Sequence, residues 1–98
     1  MSKIIQISSD IEEIVPGFLE GRNADVKSLR ALLQTGGLEE IQTIGHKLKG
    51  NSGSYGFDEM GPIGAKIEEA AKLSDLKLIE SQTDALEAYL AEIEVEYV

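Results

Sequence analysis

Apolar side chains recur along most of the chain three and four residues apart, the spacing of one helix face. From Ser9 to about Thr35 the stripe runs through Phe18, Leu19, Val26, Leu29, Leu32 and Leu33. Pro16 clashes with a preceding turn but fits a first one, so the pattern predicts a short lead-in helix through Val15 and a longer helix from about Pro16. "SDIE" offers a capping box, from Ser9 to Glu12 or from Asp10 to Glu13, and Gly36 or Gly37 offers the left-handed stop. A second helix is expected from Leu38 to Tyr55, a third from Asp58 or Glu59 to Leu73, and a fourth from Asp75 to Glu94. Asp58 and Ser74 or Asp75 are the candidate N-caps, and Pro62 falls near a first turn.

Met60, Ile63, Ile67, Ala70 and Ala71 make the third stripe, and Leu76, Ile79, Leu86, Leu90 and Ile93 the fourth. Four one-sided helices joined by short connections hide their stripes against each other, which predicts an all-α, up-down-up-down four-helix bundle. The 98 residues read as one domain, 1–98, with its core at about 10–95 and no linker or repeat. No β-hairpin signal is present, and residues 1–8 and the final "EYV" are expected to fray.

The segment "GHKLKGNSGSYGF", residues 45–57, breaks the helical economy. It holds the only histidine and four of the ten glycines. Three glycines inside a helix, Gly45, Gly50 and Gly53, would cost about 3 kcal/mol relative to alanine. With Leu38 at zero and about 100° per residue, the buried stripe of Ile41, Ile44, Leu48 and Tyr55 centres near 285° and His46 lies at about 80°, facing solvent. Gly50 at about 120° and Gly53 at about 60° flank it on the same side, whereas Gly45, Ser52 and Gly56 border the buried side. The first pair bares the surface beside the imidazole for a partner, and the second group permits close helix packing.

Lys49 shares this surface, and Lys47 reaches it on a long flexible stem. A neutral imidazole nitrogen can attack phosphorus, and ammonium groups beside it stabilise the charge that arrives. Glu39 and Gln42 line the same face and are the candidates to orient the ring through its other nitrogen. Ser52 and Ser54 are too far around the helix for a triad, and the glycine spacing is not that of a P-loop.

Composition narrows the alternatives. The absence of cysteine removes disulfides and thiolate sites, and one histidine argues against an imidazole-rich metal centre, leaving a metal-dependent hydrolase only acids for ligands. The net charge of −9 opposes general binding to nucleic acid. Residues 22–57 nevertheless sum to +2, between −3 over residues 1–21 and −8 over residues 58–98, so the histidine sits in the only basic stretch. No membrane span or signal peptide is evident, and a cytoplasmic, complete chain is expected.

His46, Leu48, Lys49, Gly50, Ser52 and Gly56, followed by Phe57, resemble the H-x-L-K-G-x-S-x-x-x-G pattern of the histidine-containing phosphotransfer (HPt) family. The resemblance covers residues 10–95 in helix order. It implies a monomeric phosphoryl carrier of a multistep two-component phosphorelay, with no kinase domain, cofactor or metal of its own. His46 would be the phosphoacceptor, assisted by Lys49 and more weakly by Lys47. A surface of Gln42, Gly50 and Gly53, bordered by Arg22, would dock a response-regulator receiver domain or a sensor or hybrid histidine kinase. The alternative is a helical adaptor or inhibitor that docks the same partners without being phosphorylated.

Overall fold

The computed structural model describes residues 2–98. Its elements are β1 (Lys3–Ile7), a 3-10 turn (Ser9–Ile11), α1 (Val15–Thr35), α2 (Leu38–Asn51), a second 3-10 turn (Gly53–Tyr55), α3 (Met60–Lys72), α4 (Leu76–Glu92) and β2 (Ile93–Tyr97). Successive helices pack on one another and α1 closes the ring against α4, which makes the up-down-up-down four-helix bundle that the stripes require. The core runs through Val15, Phe18, Leu29, Ile41, Leu48, Phe57, Met60, Ile67, Ile79 and Leu86, all buried.

Local chemistry sets most boundaries. Pro16 sits in the first turn of α1, and Gly36, at φ 77°, ends that helix with its N–H bonded to the Leu32 carbonyl. Asp75 caps α4, its carboxylate accepting from the Leu78 N–H at 3.1 Å. Two expected caps are absent. The lead-in is the single 3-10 turn, capped by Ser8 accepting from the Asp10 N–H rather than by a Ser9 or Asp10 box. Glu59, not Asp58, precedes α3 and makes no side-chain cap bond.

The second helix is shorter than expected. Regular hydrogen bonding in α2 stops at Asn51, and the chain tightens into the 3-10 turn before Gly56 reverses it at φ 89°. Gly53 therefore lies in a tight turn rather than a helix interior, which lowers its backbone cost. The Ser52 carbonyl holds this turn together by accepting from the N–H groups of Tyr55 (3.2 Å) and Phe57 (3.0 Å).

Among the described residues the termini are paired rather than frayed, and Met1, included in that expectation, lies outside them. β1 and β2 form a parallel two-stranded ladder, with Lys3 opposite Ile93 and Ile7 opposite Tyr97. Ile93 leaves the helix with extended backbone, so α4 ends at Glu92 and the last apolar residue expected in its stripe belongs to the strand. Ile5, Ile7, Ile93, Val95 and Tyr97 turn inward against the bundle. Ile7 reaches the reversing turn, where a Cβ on Gly56 would meet its Cδ1 at 2.6 Å. An unaided two-stranded ladder is marginal, and burial of this inner face is what holds it.

Candidate functional site

Two glycines decide how α2 and α3 meet. A Cβ on Gly45 would lie 2.6 Å from the Glu68 N and 2.8 Å from the Gly64 carbonyl oxygen, and one on Gly64 would lie 2.5 Å from the Leu48 Cβ. No side chain fits there, so the backbones touch. Gly45 thus has the packing role expected of it, and Gly64 is its unanticipated counterpart. The approach places Glu68, one turn beyond Gly64, alongside the residues that follow Gly45 on α2.

Glu68 consequently bonds to two residues of α2. Its Oε2 lies 2.8 Å from His46 Nδ1, and its Oε1 accepts from Lys49 Nζ at 2.8 Å. The carboxylate side chain is only 11% exposed, whereas the imidazole is 67% and Lys49 46% exposed. The hydrogen bond from Lys49, followed by that from His46, holds the Glu68 carboxyl below its ordinary pKa, against the opposing effect of burial. An ionised carboxylate can only accept, so Nδ1 carries the proton toward Glu68 and the Nε2 lone pair is left for chemistry.

This corrects the expected source of ring orientation. Neither Glu39 nor Gln42 bonds to the imidazole; Glu68 of another helix does. Gln42 remains on the surface of α2, half-buried. The outward position expected for His46 is met. Gly50 and Gly53 are both exposed, and a Cβ at either would meet nothing within 4 Å, so internal packing does not demand glycine at these positions.

The remaining sequence candidates differ in their surroundings. Lys47 is exposed and makes no ion pair among the described residues. Arg22 of α1 is half-buried, bonded through Nε to Asp25 at 2.7 Å, and its guanidinium lies 4.7 Å from the centre of the Phe18 ring. Phe18 in turn stacks on Tyr55 at 4.1 Å and Phe57 at 5.6 Å between ring centres. Arg22 is thereby fixed beside the turn that ends the histidine segment, with Asp25 offsetting its charge. Ser52 is fully buried and its Oγ lacks a partner among the described residues, which nothing in the structure explains.

An outward imidazole, fixed through one nitrogen on the second helix of a four-helix bundle, fits the family suggested by the sequence. The Hpt domain family matches residues 13–96. The chain belongs to the Hpt domain family. Hpt domains are histidine phosphotransfer modules of phosphorelays, phosphoryl carriers rather than kinases, and they interact with receiver domains and histidine kinases. No curated protein and no solved structure matches the chain. No helix of this Hpt domain is long and apolar enough to cross a membrane among the described residues.

Proposed function

We propose that His46 Nε2 accepts a phosphoryl group from the aspartyl phosphate of a receiver domain, or from a histidine kinase, and passes it to a receiver aspartate. The observation that carries this reading is the 2.8 Å bond from Nδ1 to an ionised Glu68 beneath an exposed ring. The Nε2 lone pair attacks phosphorus, the bond from phosphorus to the donor atom breaks, an oxygen in an aspartyl phosphate or a nitrogen in a kinase phosphohistidine, and the electron pair leaves with that atom. The imidazole retains its Nδ1 proton and becomes cationic as the nitrogen–phosphorus bond forms. Glu68 stabilises that charge through the hydrogen bond already in place. In the reverse step the cationic ring is a good leaving group, so the same geometry serves donation.

Lys49 supplies the positive charge for the phosphoryl oxygens. Its ammonium rests on Glu68, one turn from the imidazole, and its partial exposure leaves room to swing outward. Lys47 adds a longer-range attraction. Gly50 and Gly53, with Gln42 between them and the start of α2, leave the approach to Nε2 open to the body of a receiver domain, and Arg22 borders that surface. The chain acts as a carrier within a cytoplasmic signalling relay; any Mg²⁺ required belongs to the receiver's acidic pocket.

Incubation with a phosphorylated receiver domain and Mg²⁺ tests the proposal. The expected product is acid-labile, alkali-stable label on the wild type and none on His46→Gln. A variant that takes up the same label would place the phosphoacceptor on another residue, and a wild type that binds the receiver and never becomes labelled would replace this reading with the unphosphorylated adaptor.

A further inference from the structure

The terminal ladder is unfinished on one side. Val98 N–H donates to the Ile7 carbonyl at 2.9 Å and Ser9 N–H to the Val98 carbonyl at 3.0 Å, so odd-numbered residues of β1 direct their backbone groups at β2. Backbone direction alternates along a strand, and the N–H and C=O groups of Ile4 and Gln6 therefore face away from β2. They have no backbone partner within the described chain, because the sheet ends at β1. Ile4 is 62% exposed.

The two edges of this sheet are not alike. β2, "IEVEY", alternates with Glu94 and Glu96, and acids at an edge repel another strand of this acidic chain. β1, "KIIQI", has one charge at its far end, no proline, no glycine and high strand propensity, the composition of a segment that pairs with its like. Lys3, the one charge of residues 2–9, is paired with Glu59 at 2.8 Å, so in a chain of net charge −9 this edge meets a second copy without an unpaired charge of its own.

We propose that two copies of this chain associate through β1, antiparallel about a two-fold axis, to give a four-stranded sheet ordered β2–β1–β1–β2. The hydrogen bonds are self-complementary. Setting Ile5 opposite its symmetry mate places Ile4 of each copy opposite Gln6 of the other, and these are the two residues whose donors and acceptors point outward. A five-residue edge is a small interface, so the dimer forms in the micromolar-to-millimolar range rather than permanently. This departs from the monomer expected from the sequence and is independent of the phosphoryl chemistry.

Sedimentation velocity on the full chain, from micromolar to millimolar, tests it, together with amide exchange. Wild type should shift from monomer to dimer as concentration rises. Ile4→Pro removes only an outward N–H and Ile4→Lys adds a charge at the edge; both should stay monomeric with unchanged helical circular dichroism. Exchange at the Ile4 and Gln6 amides should slow with concentration, while Ile5 and Ile7 are protected throughout. A wild type that stays monomeric, a dimer that survives Ile4→Lys, or a dimer whose Ile4 and Gln6 amides stay unprotected would overturn the proposal.

Discussion

Glu68 is the residue that ties this surface together, because one carboxylate holds both the His46 ring and the Lys49 ammonium. Glu68→Ala should leave the bundle folded and slow phosphoryl acceptance by on the order of 10–100-fold, read as the rate of label transfer from a phosphorylated receiver. Glu68→Gln keeps the shape and loses the charge, and a drop of about tenfold is expected. Stability should respond to acid at the same residue. Its folded pKa is depressed from 4.5, so its contribution is full above that value and is lost as pH falls through the lower folded one. Thermal melts of Glu68→Gln should consequently lose less stability than wild type across that acid window. The outward place of His46 and its nearness to Lys49 were legible because spacing and wheel position needed nothing beyond one helix. Glu68 was not, since its partners lie 22 and 19 residues away and the apparent candidates, Glu39 and Gln42, shared the histidine's own face. The available signal was Gly64 one turn before an acid that borders the stripe of α3.

At the scale of the elements, the glycines of the histidine segment divide by what surrounds them, and their substitutions should diverge in sign. Gly45→Ala drives a methyl into the α3 backbone, and overpacking of about 1–3 kcal/mol should exceed any gain in helix propensity. Gly50→Ala meets open space in a helix, so denaturant unfolding should show about 0.5–1 kcal/mol of added stability while the rate of transfer to a receiver falls. A variant both more stable and slower would separate the demands of packing from those of docking. The stripes located all four helices, because their buried faces coincide with the spacing of apolar residues. Boundaries were less legible. The end of α2 depends on the Ser52 carbonyl and on the left-handed Gly56, contacts that no periodicity reports.

Across the whole molecule, the chain ends are joined by the ladder and pinned to the turn that closes the histidine segment. Ile7 is 2% exposed and packs over Gly56, so Ile7→Ala should cost about 2–5 kcal/mol in denaturant unfolding and raise amide exchange in residues 52–57. The sequence concealed this arrangement for a physical reason. A parallel pair joins segments about ninety residues apart, "KIIQI" does not alternate, and Ile93 continues the helical spacing of α4 into a strand. The strict alternation of "IEVEY" and the isoleucines of "KIIQI" were the strand signals, each too short to stand alone. The same bundle then presents His46 on its outside with one nitrogen occupied, and the account rests on which nitrogen is free. Two-bond proton–nitrogen correlation on chain labelled with nitrogen-15 and phosphorylated by a receiver domain reads this directly. Phosphorus coupling at Nε2 of His46, with the proton on Nδ1, is the expected result; coupling at Nδ1, or phosphorus on any other residue, would contradict it.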